Sequence, residues 1–391
     1  MKKSTLNKLV ITFVVVSLTL CSCGSQSHLA TIKESDISII TAEALNYDEM
    51  VWESAMDITY AKELQIEKSN DYYRITISDA TKFFVVPKSA ELPQNVPDEM
   101  IVLYQPLDSV YLVASSAYDL VDHIDALDYI RLTGVKRENM YLKSVLARMD
   151  EGKLLYAGKY SAPDYELLIG EKCDLAIENT MIFHEPQAKE KLEELGIPVL
   201  VEYSSYENNP LGRLEWIKLY GVLFQREEIS VQIFDDEVEK IATIMSQDKN
   251  GAVAVFFHVN TNGSVTVRKS GDYISKMIEM AGGEYALYGM ADNDENALST
   301  MNIQMEDFYL AAKDCDVLIY NSTIEGELES IDDLLALSPV FADFKAVKNG
   351  RVYCTGRNFF QEITGMGDFI EDLNKVFLGI DEDYHYLFLL E

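Results

Sequence analysis

Residues 174–202 read DLAIENTMIFHEPQAKEKLEELGIPVLVE, and this stretch decides the fold. It begins at 174–178 with the apolar residues Leu175-Ala-Ile177 between two acidic ones, and we read this segment as a strand. Residues 185–195 have the pattern of an amphipathic helix, and Gly196 predicts the helix end. A second apolar run follows at 197–202. Strand, helix and strand in this order predict two parallel strands joined by a crossover helix.

The same alternation continues on both sides of this stretch. Residues 58–112 read as short strands rich in β-branched and aromatic residues. Strands and helices then alternate from 115 to 224, with a Thr-Gly turn at 133–134, and alternate again from 252 to 378. Alternating strands and helices predict mainly parallel sheets with the ligand at the carboxyl ends of the strands.

A single long helix is predicted between these two parts. Residues 227–247 repeat apolar side chains at helical spacing, at Phe234, Val238, Ile241 and Met245. The predicted fold is therefore α/β, with two Rossmann-like lobes of mainly parallel sheets, one connecting helix and a ligand cleft between the lobes. The predicted segments are a lipoprotein signal peptide at 1–22, a tether at 23–34, an N-terminal α/β lobe at 35–226, an inter-lobe helix at 227–248 and a C-terminal α/β lobe at 249–391.

The first residues have the features of a secretory signal. Lys2, Lys3 and Lys8 precede an apolar run at 9–20, and small and polar residues follow it. The ending Leu20-Cys-Ser-Cys23 resembles a bacterial lipobox, which implies acylation of Cys23. A short transmembrane anchor is the alternative, but a mainly apolar run of 12 residues is too short for about 30 Å of hydrocarbon. We expect lipid anchoring through Cys23 at the extracytoplasmic face of the cell membrane.

The charge balance of the chain is strongly acidic. The sequence has 65 acidic and 33 basic residues, which gives a formal net charge of −32. Nucleic acids and anionic lipid surfaces require Lys and Arg patches, so we expect no nucleic-acid partner. The charge fits ordinary solubility and would also favour cationic partners.

Metal-ligating and catalytic patterns are not found. The five histidines, His28, His123, His184, His258 and His385, are scattered, and no HxH or HExxH spacing occurs. A site for bare zinc or manganese needs several clustered ligands, so we predict no resident metal and no cofactor. His258 ends an apolar strand near the expected cleft, where it either contacts ligand or has only a local role. No GxSxG, P-loop or GxGxxG motif occurs, so we predict that the chain is not an enzyme.

The cysteines do not form a framework. Cys173, Cys315 and Cys354 lie in or beside apolar stretches without CxxC spacing. We expect them to be small buried residues, while one disulfide among them stays open as an alternative.

Several segments, taken in order, are similar to landmarks of one protein family. They include 159–178, LGIPVLV at 195–201, PLGRLEWIK at 210–218, AGG at 281–283, AVKNGRVY at 346–353 and GDFIEDL at 367–373. Their order and spacing resemble the helical-backbone substrate-binding proteins that serve ABC importers for ferric siderophores, haem and cobalamin. The resemblance covers about 115–380, whereas 35–112 are covered only loosely.

This resemblance implies a membrane-anchored substrate-binding protein of an ABC importer. Its ligand would be a metal chelate, with a ferric siderophore first and haem or cobalamin as alternatives. Its protein partners would be the ABC permease and its ATPase, and the chain itself would be a monomer. A surface sensor or storage module of the same fold is one alternative function, and a secreted hydrolase is another.

The candidate ligand-binding residues follow predicted strands or lie in loops near them. Tyrosines offer flat contact area with one hydrogen bond, and arginines match carboxylate or catecholate oxygens, a mixture that suits a large chelate. The predicted set is Ser115, Ser116, Tyr118, Tyr160, Ser161, Asn179, Thr180, Tyr203, Ser204, His258, Arg268, Asn321, Arg357 and Phe360.

Two further glutamates are predicted to contact the permease. The family commonly uses one surface glutamate on each lobe to meet permease arginines, and the resemblance assigns these roles to Glu166 and Glu306. Both lie near predicted helix starts, where a carboxylate also interacts favourably with the helix dipole. Helix capping is therefore the alternative role for each of them.

Overall fold

The computed structural model describes residues 45–78, 80–247, 249–290, 300–380 and 383–391. The predicted signal peptide, Cys23, the tether, His28 and the first residues of the predicted N-terminal lobe lie outside the described residues. The fold described below is that of residues 45–391.

The chain first forms a five-stranded sheet in which successive strands are neighbours. All pairings are antiparallel except β4 with β5, which is parallel. One face packs into the main core through residues such as Ile75 and Phe83, and the other buries Tyr72 and Phe84 in a small separate cluster. The strands are β1 (Glu53–Ser54), β2 (Leu64–Ser69), β3 (Tyr72–Ile77), β4 (Lys82–Val86) and β5 (Ile101–Tyr104).

The N-terminal lobe is built on a second five-stranded sheet that is parallel throughout. Its strands are β6 (Val110–Leu112), β7 (Ile130–Thr133), β8 (Leu155–Tyr156), β11 (Leu175–Asn179) and β12 (Val199–Glu202), in the spatial order β12-β11-β6-β7-β8. The antiparallel pair β9 (Gly158–Lys159) and β10 (Ala162–Pro163) forms a hairpin after β8. The helices of this part are α1 (Ala117–His123), α2 (Lys143–Asp150), α3 (Tyr165–Gly170), α4 (Pro186–Glu194), α5 (Pro210–Glu215) and α6 (Ile217–Leu223).

The long helix α7 (Glu227–Met245) connects the two lobes. It packs on α6 of the N-terminal lobe and on α13 (Met366–Leu378) and α8 (Tyr273–Met280) of the C-terminal lobe. Its buried side chains include Phe234 and Ile241, two of the residues whose spacing predicted the helix. Within the described parts of the chain, no helix combines the length and the apolar character that crossing a bilayer requires.

The C-terminal lobe contains a seven-stranded sheet with a parallel centre. Strands β13 (Val253–Val259), β17 (Val317–Tyr320) and β18 (Val352–Thr355) are parallel, and β15 (Glu284–Tyr285) pairs with β13 in the same sense. The outer strands pair in the antiparallel sense, β14 (Val265–Arg268) with β13, β16 (Thr300–Ile303) with β14, and β19 (Leu387–Leu389) with β18. The remaining helices are α9 (Met305–Ala312), α10 (Ser322–Glu325), α11 (Ile331–Leu337) and α12 (Lys345–Lys348).

The predicted two-lobed α/β fold is confirmed, with more antiparallel pairing than the sequence suggested. The turn between β13 and β14 spans only residues 260–264. A parallel connection needs a dozen or more residues, so this short turn forces the two strands into a hairpin. Cys173, Cys315 and Cys354 are free thiols. Burial raises the pKa of each thiol to about 12, as expected of inert, packed cysteines.

Candidate functional site

A cleft of about 560 Å³ lies between the lobes, where strands of both central sheets end. We call this space the cleft. Parallel strands place their carboxyl ends at one edge of a sheet, so the loops that follow them converge there. From the N-terminal lobe the cleft is lined by Val113, Ser115, Gly134, Val135, Lys136, Asn139, Tyr141, Tyr156, Lys159, Tyr160 and Asn179.

Two glycines shape this wall of the cleft. Gly158 has a φ of +83°, and a side chain there would lie 2.2 Å from the carbonyl oxygen of Ala162. Only glycine therefore permits the tight β9–β10 hairpin that carries Lys159 and Tyr160. The hydroxyl of Tyr111 donates a hydrogen bond to the Gly158 carbonyl at 3.0 Å and holds the hairpin against the sheet. A side chain at Gly134 would come within 2.8 Å of Val113.

The wall from the C-terminal lobe consists of Thr323, Ile324, Arg357, Phe360 and Gln361. Thr323 and Ile324 lie on α10, which begins directly after β17 and is capped by the side chain of Asn321. Phe360 contacts Arg268, whose guanidinium lies 5.0 Å from the centre of the Phe360 ring. This contact is within the range of a cation–π interaction.

Two hydrogen bonds between residues that line the cleft connect the lobes. The side-chain oxygen of Gln361 accepts from the Tyr141 backbone N–H at 2.9 Å. The Gln361 amide nitrogen donates to the Asn139 carbonyl at 2.7 Å. One buried glutamine therefore fixes the two walls relative to each other.

The charge of the cleft is opposite to that of the whole chain. Its lining includes three cations, Lys136, Lys159 and Arg357, and no aspartate or glutamate among the described residues. Lys136 lies 3.4 Å from Glu138, and Arg357 lies 3.9 Å from Glu327. All four side chains are exposed to solvent, which weakens both ion pairs. Aromatic rings are supplied by Tyr141, Tyr156, Tyr160 and Phe360. Such a surface suits an anionic ligand with flat apolar parts.

A second cavity of about 800 Å³ lies between α1, α2, α7 and the C-terminal lobe. We call it the acidic cavity because its lining includes Asp119, Asp122, Glu237, Glu327, Glu362 and Asp368. Most of these carboxylates are occupied by neighbours. Glu362 accepts from Tyr386 and Asn358, both at 2.7 Å. Asp122 accepts from Ser144, and Asp368 pairs with Lys240.

The acidic cavity also contains a direct connection between the lobes. Buried Asp119 of α1 accepts from both the backbone N–H and the hydroxyl of Thr364, each at 2.7 Å. His123, one turn further along α1, lies 3.2 Å from the same carboxylate. The hydrogen bond to Asp119 raises the pKa of His123 to about 9. The polar groups of this cavity thus serve mainly to hold the lobes together.

The structure brings five of the predicted ligand-binding residues together in the cleft. They are Ser115, Tyr160, Asn179, Arg357 and Phe360. Ser116, Ser161 and Thr180 lie next to this wall, at the start of α1, in the hairpin turn and after β11, but they do not line the cleft.

Other predicted ligand-binding residues face the core or have local partners. Tyr118 is buried and donates to the Leu112 carbonyl at 2.8 Å. Ser204 is buried, and its N–H donates to Glu202 at 3.0 Å. His258 is buried within β13, where burial lowers its pKa. Asn321 caps α10, and Arg268 contacts Phe360, as described above.

Tyr203 has a different environment, outside the cleft lining. Its ring lies between those of Phe183 and Tyr206, at centroid distances of 5.9 and 5.4 Å. The predicted docking residues Glu166 and Glu306 are exposed, in the first turns of α3 and α9 on different lobes.

Sequence reasoning missed several residues that line the cleft. They are Val113, Gly134, Val135, Lys136, Asn139, Tyr141, Tyr156, Lys159, Thr323, Ile324 and Gln361. Lys159 directly precedes the predicted Tyr160, and Lys136 follows the Thr-Gly turn after β7. Their positive charge next to predicted strand ends was the signal that could have identified them.

Glu178 is a carboxyl group directly beside the cleft that does not contribute charge to it. It precedes Asn179 in β11, and its side chain is fully buried with no hydrogen-bond partner for either oxygen among the described residues. Burial raises its pKa to about 8. The group is therefore mainly neutral at pH 7.

The segment PLGRLEWIK at 210–218 has a structural role. Glu215 accepts hydrogen bonds from the backbone N–H groups of residues 59–61 at 2.7 to 2.9 Å. Glu207 accepts from residues 62 and 63 at 2.8 and 2.9 Å. The ammonium group of Lys218 lies 3.1 Å from Glu215 and compensates its buried charge. These contacts attach the segment that leads into β2 to the N-terminal lobe.

Comparison with known proteins agrees with this architecture. The sequence profile of the periplasmic binding protein family matches residues 113–358, which is more than half of the chain. This chain belongs to the periplasmic binding protein family. The matched range begins after the N-terminal sheet, so β1–β5 of this periplasmic binding protein lie outside it.

Individual relatives of this periplasmic binding protein support the assignment. An uncharacterized lipoprotein of Methanocaldococcus jannaschii is 27% identical over 74% of this chain and 70% of its own length. The haem-binding protein of Vibrio cholerae aligns with 68% of this chain and 98% of its own, at TM-score 0.56 and 15% identity. The catecholate-siderophore binding protein of the same organism aligns with 69% and 94%, at TM-score 0.53 and 15% identity. These structural likenesses show the shared two-lobed fold.

Proposed function

We propose that this protein is the membrane-anchored substrate-binding component of an ABC importer and that its cleft captures an anionic metal chelate. A ferric siderophore is the favoured ligand, and haem and cobalamin are the alternatives. The protein would act as a monomer at the extracytoplasmic face of the membrane and would deliver the chelate to the permease and its ATPase.

The observation that carries this proposal is the charge of the cleft. A chain with a net charge of −32 places three cations and no carboxylate among the described residues that line the cleft. Lysine and arginine side chains would pair with catecholate or carboxylate oxygens, and the surrounding rings would contact the flat parts of the ligand. The names of the two Vibrio cholerae proteins, one haem-binding and one catecholate-siderophore binding, support the same ligand classes.

A thermal-shift series tests the ligand class. The purified protein is measured with a ferric catecholate siderophore, haemin or cobalamin, each at several concentrations. A ligand at 100 times its dissociation constant adds about 2.7 kcal/mol to the free energy of unfolding. We expect the ferric catecholate to raise the melting temperature most. No shift with any of the three compounds would contradict the proposal.

A charge-matched pair of variants tests the site. Lys136→Ala with Lys159→Ala removes two charges from the cleft, and Lys153→Ala with Lys348→Ala removes two exposed charges that line neither cavity. We expect only the first pair to weaken binding, and more strongly at low salt than at high salt. Equal affinities for the two double variants would place the ligand elsewhere.

The lipid anchor is proposed at Cys23, supported by the lipobox-like ending and by the lipoprotein name of the Methanocaldococcus jannaschii relative. The test is membrane fractionation of the wild type and of Cys23→Ser. The wild type should sediment with membranes and the variant should be released. A variant that stays with the lipid fraction would contradict acylation of Cys23.

Docking on the permease is proposed through Glu166 and Glu306. Both are exposed and lie on different lobes, which is consistent with one contact for each half of a permease. Reversing both to arginine should stop chelate uptake and leave chelate binding intact. The control reverses two other exposed glutamates, Glu190 and Glu239. Binding without any uptake by the wild type would instead favour a sensor or storage role.

A further inference from the structure

A row of apolar side chains lies on the surface beside the cleft. Met181 and Phe183 are each 45% exposed, and Tyr206 is 39% exposed. Tyr203 joins them, because its ring lies 5.9 Å from Phe183 and 5.4 Å from Tyr206. We call Met181, Phe183, Tyr203 and Tyr206 the aromatic ladder. Single exposed apolar residues are common, but three rings in series, Phe183, Tyr203 and Tyr206, with exposed Met181 in the same turn as Phe183, indicate a contact surface on an acidic protein.

The aromatic ladder lies at the same sheet edge as the cleft. β11 and β12 are parallel neighbours, and Asn179 of β11 pairs with Glu202 of β12. The turns that carry the ladder follow directly, at Thr180–His184 after β11 and at Ser204–Tyr206 after β12. The carboxyl ends of β6, β7, β8 and β11 supply residues of the cleft wall. The ladder therefore continues that wall along the sheet.

One residue belongs to both surfaces. Asn179 lines the cleft, and its side-chain oxygen accepts from the backbone N–H of Met181 at 3.0 Å. This bond fixes the beginning of the turn that carries Met181 and Phe183. Tyr203 packs against two buried core clusters, the main core that extends through both lobes and a smaller one around β11 and β12, so the middle of the ladder is held in place by the core. A platform that is fixed before binding loses little entropy when a ligand covers it.

The chemistry of the ladder differs from that of the cleft. It offers three rings and one thioether and no charged side chain. Aromatic faces and a polarizable sulfur contact planar conjugated groups favourably. The cations, in contrast, are in the cleft. The two surfaces together match a ligand with an anionic part and a flat aromatic part.

We infer that the aromatic ladder is a second, apolar subsite, which takes an aromatic portion of the chelate that extends beyond the cleft. This inference rests on the proposed function and narrows the ligand class to anionic chelates with exposed aromatic rings. Ferric catecholates and haem fit this description, whereas aliphatic hydroxamate chelates do not.

The test measures affinity for one aromatic and one aliphatic chelate. Phe183→Ala with Tyr206→Ala is titrated with a ferric catecholate siderophore and with an aliphatic ferric trihydroxamate. We expect about a tenfold loss of affinity for the catecholate, because two ring contacts are removed. Affinity for the trihydroxamate should change less than twofold. Phe183→Leu, which keeps the apolar area but lacks the ring, should give an intermediate loss.

Tyr104→Ala is the matched control, because Tyr104 is 56% exposed at the end of β5 and lines neither cavity. It should bind both chelates like the wild type. Unchanged catecholate affinity in the double variant would overturn the subsite while the proposed function stands, and so would an equal loss for both chelates. Loss of uptake with full binding would instead make the ladder a protein contact. A wild type that binds no chelate would overturn both proposals.

Discussion

The cleft and the acidic cavity lie between the same two lobes, yet carboxylates dominate the lining of the acidic cavity and cations are the only charged groups among the described residues that line the cleft. Both are lined by Tyr141 and Arg357. In the acidic cavity most carboxylates accept hydrogen bonds from neighbours, including the two that Asp119 receives from Thr364 across the lobes. In the cleft the lysines face the space itself, and the one carboxylate that Lys136 contacts, Glu138 at 3.4 Å, is exposed to solvent. Carboxylates that accept hydrogen bonds across the lobes indicate a structural role, and cations whose only carboxylate partners are solvent-exposed indicate a place for an anion.

The largest expected effect concerns Glu178, the buried carboxyl group that lies next to Asn179 at the end of β11. Burial raises the pKa of Glu178 from 4.5 to about 8, so the folded protein binds more protons than the unfolded chain between these values. Stability should therefore fall as pH rises from about 5 to 8, by roughly 3 kcal/mol from this group. Denaturant unfolding at several pH values measures this slope, and Glu178→Gln should remove it.

Glu202→Gln is the control for this prediction, since burial raises the pKa of Glu202 only to about 6. Its slope should end near pH 6. A Glu178→Gln variant that keeps the full slope up to pH 8 would show that Glu178 is ionised in the folded protein. The cleft wall would then contain a negative charge.

The next effect tests the acidic cavity as a structural joint. Asp119→Ala leaves the buried N–H and hydroxyl of Thr364 without their acceptor, which should cost about 2 kcal/mol of stability. Chelate affinity should change little. Urea unfolding together with a binding titration separates the two effects. Asp128→Ala, which removes an exposed carboxylate paired with Arg148, should cost less than about 0.5 kcal/mol.

Substitutions in the cleft should have a smaller effect, and this effect should appear in the free energy of chelate binding and not in the free energy of unfolding. Tyr160→Ala or Arg357→Ala should weaken chelate affinity about tenfold, or about 1.4 kcal/mol. The melting temperature of the ligand-free protein should stay nearly unchanged. Tyr160→Phe keeps the ring and serves as the conservative comparison for Tyr160→Ala. If either alanine variant lowers the stability of the empty protein as much as its affinity, that side chain is structural.

The smallest effect is a change in shape on binding. The lobes are joined by the continuous helix α7, by Gln361 in the lining of the cleft and by Asp119 in the acidic cavity. Hinge closure needs residues that absorb backbone change, and a continuous helix offers few. Scattering profiles with and without chelate should nearly coincide. A clear compaction on binding would show that the lobes move toward each other and that the contacts in the acidic cavity do not fix them.

Much of the fold could be predicted because it depends on local pattern. The predicted strand, helix and strand at 174–202 correspond to β11, α4 and β12, and the predicted helix at 227–247 corresponds to α7 (Glu227–Met245). Apolar spacing and a terminal glycine carry this information. The antiparallel pairings of β16 with β14 and of β19 with β18 were not predictable in the same way, since they depend on how distant segments meet.

The site was less predictable, because a strand end gives a position but not the direction of a side chain. Asn179 and Glu178 are neighbours in β11, yet one lines the cleft and the other is buried on the opposite face. Tyr118 looked like a loop residue but lies on the core face of α1. The acidic cavity could not be foreseen, since Asp119 and Thr364 are 245 positions apart and meet only in the folded chain.

The most direct test of the central claim is a crystal structure of the protein bound to a ferric catecholate siderophore. The account predicts the chelate in the cleft, with its oxygens facing Lys136, Lys159 and Arg357 and a ring beside Tyr160 or Phe360. The acidic cavity should remain free of the chelate, and the bond between Asp119 and Thr364 should persist. A chelate bound in the acidic cavity, or bound outside the cleft, would contradict the account.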